Sequence, residues 1–296
     1  MITNGTRLCD RGEILLRRRV EFSAGHAYWL PELSESRNRE LFGRWASPWG
    51  HGHNYRVEVG VAGRVDDSTG MVVNIVAIDA VLKQVVGTMA DKHLNHEVEW
   101  FRGRVPTLET IAEIVVREFR AAHAGQIGRL AWLRVDESST LWLEWTGTGD
   151  GEMLLTRRFD FAAAHRLHAP GLAAAENLSI FGKCNNPHGH GHNYGVEVTV
   201  SGVPDPITGM LVNLVELDAV LEREVMDRYD HKHLNFDTED FRETNPTSEN
   251  LTLAIWRHLE HAIPAPARLH RVVVEETDRN RFEYYGEEEN ENAPAS

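Results

Sequence analysis

The chain of 296 residues is written twice, and this duplication constrains its fold more than any other feature. "FSAGHAYWLPE" from Phe22 returns as "FAAAHRLHAPG" from Phe161, an offset of 139. "GHGHNYRVEVGVAG" from Gly50 returns as "GHGHNYGVEVTVSG" from Gly189, and "TGMVVNIVAIDAVL" as "TGMLVNLVELDAVL", at the same offset. "KHLN" at Lys92 and Lys232, and "PTLET" with "PTSEN", stand 140 apart, while "VDES" at Val135 and "VEET" at Val274 return to 139. Two copies make a domain duplication and not a solenoid. The domains are expected at residues 14–146 and 152–287, each able to bury a core of its own, with the Gly-rich "TGTGDG" of Thr146–Gly151 between them.

Each copy reads alike. A strand around Phe-x-x-x-His is followed by a loop of about twenty residues, then a cleanly alternating strand ("YRVEVGV", "YGVEVTV"). A short strand ("MLVN") precedes a helix with Leu214, Leu217, Leu221 and Val225 at helical spacing. A second helix opens at Pro246-Thr247-Ser248-Glu249, with Thr247 as its cap, and a hairpin closes the unit. The class is α+β, each copy ββααββ with a four-stranded antiparallel sheet and two helices. The acidic tail "EEENENAPAS" is expected to be disordered.

A net charge of −14 argues against a nucleic-acid groove, which needs a surplus of bases. No apolar run approaches the roughly 20 residues of a membrane span, and "MITNGTRLCDRGE" has no apolar core for a signal peptide. The two cysteines, Cys9 and Cys184, are too few for a disulfide framework and are expected to be reduced thiols in a cytoplasmic protein. Sixteen histidines are the compositional anomaly.

Residues two apart on a strand share a face, so His190 and His192 point together, as do His51 and His53. The glycine between them leaves room for an ion. His165 and His26 end the neighbouring strand and offer a third imidazole, and three neutral imidazoles with an open position are the donor set of a catalytic zinc. An isolated His-Gly-His can be a solvated turn, but His-x24-His-x-His occurs in both copies. "HGHGH" in the second copy is ambiguous; Trp49 stands opposite His188, so the register falls on His190 and His192.

The copies part at three positions. Trp45 stands opposite Cys184, Ala90 opposite Asp230 and Asp91 opposite His231. Moving a one-residue gap pairs Asp91 with Asp230 instead, which still leaves His231 unmatched. A cysteine beside a metal can act as a thiolate base, or be a small buried apolar group. An Asp beside a His can form a proton relay. Their joint absence from the copy that keeps the histidines favours the chemical reading.

"FAAAHRLHAP", "ENLSIFGKCNNPHGHGHNY", "DPITGMLVNL", "LDAVLEREVMDRYDHKHLN", "PTSEN" and "VVVEETD…YYGE" together resemble the 6-pyruvoyl-tetrahydropterin synthase family over residues 156–287, and more loosely over 17–145. The resemblance implies two tandem T-fold (tunnelling-fold) domains, a degenerate first and a catalytic second. It implies zinc on His165, His190 and His192, a catalytic Cys184 and an Asp230–His231 relay. It implies Glu276 as the pterin anchor, with Thr247 and Ser248 lining the same pocket. A carboxylate suits the two adjacent N–H donors of a pterin. The implied enzyme is a carbon–oxygen lyase acting on phosphate, converting 7,8-dihydroneopterin triphosphate to 6-pyruvoyl-tetrahydropterin with loss of triphosphate, as in tetrahydrobiopterin biosynthesis.

A sister branch, the 6-carboxytetrahydropterin synthases of the queuosine pathway, typically has Cys-x3-His-Gly-His, which this chain satisfies only through His188; through His190 it has Cys-x5-His-Gly-His. A non-catalytic pterin-binding protein and a generic zinc hydrolase are the other readings; the latter lacks a glutamate beside the metal histidines. His26, His51 and His53 are expected to hold a second zinc, and Glu137, the counterpart of Glu276, to leave residual pterin binding in the first copy. The resemblance also implies pockets between subunits. From this a homotrimer of tandem chains is expected, a pseudo-hexamer with a ring of first copies stacked on a ring of second copies.

Overall fold

The computed structural model describes residues 2–3, 6–122, 128–147 and 151–287. Residues 148–150 of the expected linker and 288–296 of the expected disordered tail lie outside the described residues. The chain forms two compact units. The first runs through Arg157 and adds Ser201–Leu217 and Pro264–Arg268; the second holds Arg158–Val200, Asp218–Ile263 and the chain from Leu269.

In the first unit, strands β1 (Ile14–His26) and β2 (His51–Gly63) are followed by helices α1 (Ile75–Met89) and α2 (Leu108–Ala122), then by β3 (Arg129–Ser138) and β4 (Leu141–Trp145). The sheet order is β4-β3-β2-β1, antiparallel throughout. The alternation in β2 sends Tyr55, Val57, Val59 and Val61 into the core with no exposed surface. Ile78, Leu82 and Met89 of α1 and Ile111, Ala112 and Val115 of α2 are buried as well. Each aliphatic side chain so buried contributes roughly 1.5–3 kcal/mol. Asn74 caps α1 by accepting from the Val76 amide at 2.9 Å.

The second repeat repeats the order. Strands β5 (Met153–His165) and β6 (His190–Gly202) lead to α3, which begins at Leu214–Leu221, passes through a π-helical turn at Glu222–Met226 and ends at Asp227–Tyr229. Helix α4 (Ser248–Leu259), β7 (Arg268–Thr277) and β8 (Asn280–Tyr284) follow, in sheet order β8-β7-β6-β5. The α+β class and the ββααββ order therefore hold in both copies. No helix among the described residues is long and apolar enough to cross a membrane.

The π-helical turn explains the change of offset from 139 to 140. One extra residue is taken up by a locally widened turn of α3, whereas α1 is regular. The gap therefore lies before Asp230, which aligns Ala90 with Asp230 and Asp91 with His231. Asp91 and His231 are also, among the described residues, the two non-glycine residues with positive φ, at 59° and 55°. Each donates its amide to the neighbouring strand, to Ser23 O and Ala162 O, at 2.7 Å.

Two sequence expectations change in detail. The loop after the first strand contains a short helix, Glu35–Phe42 in one copy and Ala174–Phe181 in the other. Neither has an apolar stripe to announce it; each is held by a buried Asn whose side-chain amide donates to the loop, Asn38 to Leu30 O at 2.9 Å and Asn177 to Ala169 O at 3.0 Å. "MLVN" is not a strand: Met210, Leu211 and Val212 are buried in a bend. In the first unit this bend is held by α2, where Thr107 Oγ1 donates to Gly209 O at 2.8 Å and Glu109 Oε1 accepts from the Leu211 amide at 2.9 Å.

The expected ring of first copies also needs correction. Within the first unit, the outer edge of β4 is paired antiparallel with the opening of β5, Leu141 with Arg157 through Glu144 with Leu154. That edge is filled by the same chain over these residues and is not free to pair with another first copy.

Candidate active site

Strand pairing builds both triads. In the first copy His26 at the end of β1 is paired with His51 at the start of β2. The imidazoles of His26, His51 and His53 come together, with donor atoms all within 4.8 Å of one another, and those of His165, His190 and His192 do the same. His165 Nε2 and His190 Nε2 lie 3.3 Å apart. Donors about 2.0–2.1 Å from one tetrahedral zinc stand roughly 3.3 Å from each other, so the spacing fits. His53 Nε2 and His192 Nε2 are buried without a hydrogen-bond partner, as atoms meant for a metal would be.

A backbone carbonyl sets the outermost ligand in each copy. His165 Nδ1 donates to Pro246 O and His26 Nδ1 to Pro106 O, both at 2.8 Å, which turns Nε2 of each ring towards the cluster as a lone-pair donor. Burial keeps the rings neutral: His26 is pushed down to about 3 and His53 to about 4, the latter also by His51, and His165 and His190 are lowered mainly for the same reason. His188 is exposed and outside the cluster, so the register falls on His190 and His192.

The sterically demanding glycine is not the one between the histidines. A Cβ on Gly191 would meet Ala163 O of the adjacent strand at 3.4 Å, so that space faces backbone and not an ion. Gly189, before the pair, has φ +72°, and a Cβ there would lie 2.7 Å from both His165 O and His233 Nε2.

Glu276 stands beside the second triad, with Oε1 3.9 Å from both His165 Nε2 and His192 Nε2. Ser248 Oγ donates to its Oε1 at 2.9 Å and Asn280 Nδ2 to its Oε2 at 3.0 Å. Burial alone would raise this carboxyl, but the two donors and the nearby histidines outweigh it and hold it below the usual range. Thr247 uses its hydroxyl otherwise, accepting from the Asn250 amide at 3.3 Å as the cap of α4. Asn280 was not singled out from the sequence; its signal was available, because the first copy has Leu141 there.

Asp230 and His231 form the expected pair, Asp230 Oδ2 to His231 Nδ1 at 2.9 Å. The other carboxylate oxygen accepts from the Ala162 amide at 3.0 Å, and this bond, with His231, lowers the Asp230 pKa. The His231 side chain is 82% exposed and lines a surface depression with His192, Asn193 and Ala162–Ala164. Cys184 does not line that depression. It sits half-buried on the turn Gly182–Asn185, where its carbonyl accepts from the Leu167 amide at 2.8 Å, two residues beyond His165.

The first copy keeps the triad and loses its surroundings. Leu108 and Leu141 replace Ser248 and Asn280, Trp45 replaces Cys184, and all three are buried. Tyr28, the counterpart of Leu167, is buried and packs edge-on against His26. Glu137 is 5% exposed, and burial, then the neighbouring Glu109, pushes its carboxyl up to about 7. The first copy also keeps an open surface depression lined by Ser23, His53, Asn54 and Asp91, at the positions that line the one holding His231 in the second. Asp91, at the His231 position, accepts instead from Ser23 Oγ at 2.8 Å.

The family model described as 6-pyruvoyl tetrahydropterin synthase matches this chain twice, over residues 15–148 and 154–287. The 6-pyruvoyl tetrahydrobiopterin synthase of Drosophila melanogaster is 50% identical over 132 residues, 45% of this chain and 79% of the relative. The Homo sapiens protein of the same name is 47% identical over 133 residues, 45% of this chain and 91% of the relative. The solved structure of Caenorhabditis elegans 6-pyruvoyl tetrahydropterin synthase is 41% identical, with a TM-score of 0.44, and covers 46% of this chain and 96% of its own. Each match spans about the length of one repeat. With a histidine triad in each repeat and the family's pattern along both, the chain belongs to the 6-pyruvoyl tetrahydropterin synthase family of enzymes, as a tandem duplication.

Proposed function

We propose that the second repeat is a zinc-dependent pterin synthase that converts 7,8-dihydroneopterin triphosphate to 6-pyruvoyl-tetrahydropterin and releases triphosphate. The observation that carries this reading is Glu276, a carboxylate oriented by Ser248 and Asn280 and set 3.9 Å from two nitrogens of the triad. Each carboxylate oxygen retains a lone pair after those bonds, so the pair can accept two adjacent N–H groups of a pterin. His165, His190 and His192 would hold the metal, which when bound supplies Lewis acidity to the substrate's side-chain hydroxyls. Cys184 takes a carbon-bound proton. His231, held by Asp230, returns protons to the side chain and is exposed enough to exchange them with solvent. Thr247 contributes by capping α4, which fixes Ser248.

The Cys-x5-His-Gly-His spacing favours the pyruvoyl product over the carboxy product. Incubating the full chain with 7,8-dihydroneopterin triphosphate and identifying products by mass is the test. Triphosphate with the pyruvoyl pterin is expected. Acetaldehyde with the carboxy pterin would move the chain to the queuosine branch, and tight binding without turnover would make it a pterin-binding protein.

Because Cys184 does not line the depression that holds His231, the same proposal has each pocket completed by a neighbouring chain. Thr247 and the exposed Glu249 stand where Thr107 and Glu109 hold residues 209 and 211 in the first unit, so they are poised to take residues 70 and 72 of another chain. A trimer of chains supplies six repeats, and light scattering measures it. A cytoplasmic location belongs to this reading, since Cys184 must remain a thiol.

A further inference from the structure

An interface inside the first unit has an exposed duplicate of each of its two surfaces. Within that unit, residues 209–215 lie against the first repeat. Besides the bonds to Thr107 and Glu109, Asn213 donates its side-chain amide to Leu41 O at 3.0 Å, and a Cβ on Gly43 would lie 2.7 Å from Val215 Cγ2. Met210, Leu211, Val212 and Leu214 are buried there, as are Thr107 and Glu109.

The duplication writes both surfaces a second time, and there they are bare. The docking segment recurs as residues 70–76, where Met71 and Ile75 are exposed and Val76 is 72% exposed. Asn74 makes the same cap as Asn213: one accepts from the Val76 amide and the other from the Val215 amide, both at 2.9 Å. The receiving surface recurs as Ile180, Gly182, Thr247 and Glu249. Ile180 is 61% exposed, Glu249 is exposed, and a Cβ on Gly182 would meet nothing within 4 Å. Leu178, also exposed, extends this apolar patch, the kind of surface that marks an interaction site. The strand edges repeat the pattern. Leu15–Arg18 of β1 and Asn280–Glu283 of β8 are the counterparts of the paired Leu154–Arg157 and Leu141–Glu144, and both lie on outer edges of the sheet.

We propose that residues 70–76 of one chain dock on Ile180, Gly182, Thr247 and Glu249 of a second copy, with the opening of β1 pairing along the edge of β8. This rests on the reading that chains complete one another's pockets, and gives that reading one geometry. The contact is heterologous, joining unlike repeats, so first and second repeats alternate in a closed assembly whatever the number of chains. Thr247 and Glu249 flank Ser248, the donor to Glu276 Oε1. By docking there, the first repeat clamps the anchor carboxylate of another chain's pocket. That gives a repeat without counterparts of Cys184 and His231 a part in the site.

The test uses the full chain with Cys9→Ala and Cys184→Ala, so that no native thiol competes. With Val76→Cys and Gly182→Cys together, mild oxidation should give a ladder of disulfide-linked dimers and larger species on a denaturing gel. Either cysteine alone should leave the chain monomeric on that gel. Monomer from the double variant, or as much dimer from a single one, overturns the head-to-tail contact. Because Gly182 has φ +51°, a second variant leaves it untouched. Val76→Asp places an acid in the first turn of α1, which suits a helix start; it should scatter light as a single folded chain while the unmodified chain scatters as an assembly. An unmodified chain that is monomeric, or a Val76→Asp chain that stays assembled, also overturns the proposal. The variant should bind 7,8-dihydroneopterin at least about tenfold more weakly than the unmodified chain, as a less preorganised anchor would; equal affinity overturns the clamp. None of these readouts uses turnover, so a chain that assembles this way and makes no product fails the enzymatic reading and leaves this one standing.

Discussion

The two repeats share a backbone, a pair of carbonyl-oriented histidines, a triad and a neighbouring glutamate, and they differ at the polar groups proposed to carry or support the chemistry. Where the second repeat has Cys184, Ser248 and Asn280, the first has Trp45, Leu108 and Leu141, all buried. A polar group kept near a pocket for chemistry is a local conflict with packing, and it persists only while function needs it. Once freed, such positions drift to side chains that fill space, each contributing on the order of 1.5–3 kcal/mol through burial. The triad has not drifted, and under the proposed reading this separates holding a metal from doing chemistry with it.

The sharpest way to break this division of labour is to exchange one position at a time. Cys184→Ala should cost about 10²–10⁴ in turnover, the usual worth of one positioned proton-transfer group. Trp45→Ala should destabilise the chain by roughly 3–5 kcal/mol, the cost of emptying a large aromatic site, while leaving turnover per folded molecule nearly unchanged. Steady-state rates alongside urea unfolding separate the two. Comparable losses of turnover from both would show that the first repeat takes part in the chemistry.

The triads give the next largest contrast. His190→Ala and His51→Ala should each cost one metal ion per chain by elemental analysis. Only His190→Ala should also abolish turnover. A chain that keeps both ions after His190→Ala would mean that His188 or another group is the ligand.

Glu276 sharpens the comparison at a smaller scale. Asn280→Leu installs the first repeat's residue and removes one hydrogen bond to a carboxylate, worth about 1.5–3 kcal/mol. KM should rise roughly 10- to 100-fold, with kcat falling less. A loss confined to kcat would assign Asn280 to the reacting centre and not to the anchor.

Much of this was legible in the sequence, and what was not has identifiable reasons. The ββααββ order followed from hydrophobic alternation and helical spacing, because strands and helices of this length carry periodic burial. The triads followed from strand periodicity and from recurrence at one offset. The short helix at Glu35–Phe42 was missed since a buried Asn38 holds it and no apolar face does. The position of the one-residue gap was ambiguous in letters alone; the π-helical turn at Glu222–Met226 and the left-handed backbone at Asp91 and His231 resolve it. Thr247 was read as a pocket residue and a cap at once, and its hydroxyl serves the cap. Asn280 escaped because its partner is four residues back across a hairpin, a contact that sequence spacing does not advertise.

The smallest expected effect lies on the sheet, away from the site. In the second repeat Arg158 donates to Glu275 at 2.5 Å, and Arg281 bonds Glu275 at 2.6 Å and Glu197 at 2.7 Å. The first repeat has Trp142 at the Arg281 position, with Arg134 lying over its ring 4.4 Å from the centroid. Burial pushes Glu275 up, but the bonds from Arg158 and Arg281 outweigh it and leave its carboxyl below the ordinary range. A carboxyl lowered in the folded state contributes stability that is present above its unfolded pKa of about 4.3 and is lost as pH falls through the folded value. Arg158→Met should therefore reduce stability at pH 7 by about 1 kcal/mol or less, in the range of partly exposed pairs. It should converge on the parent as pH falls through the folded value of Glu275, below which the carboxyl is protonated in both. Substituting the exposed counterpart Arg19 by Met should leave the acid slope as it is. Urea midpoints across that pH range decide it: if Arg19→Met flattens the slope as much as Arg158→Met, the charged network is no peculiarity of the second repeat.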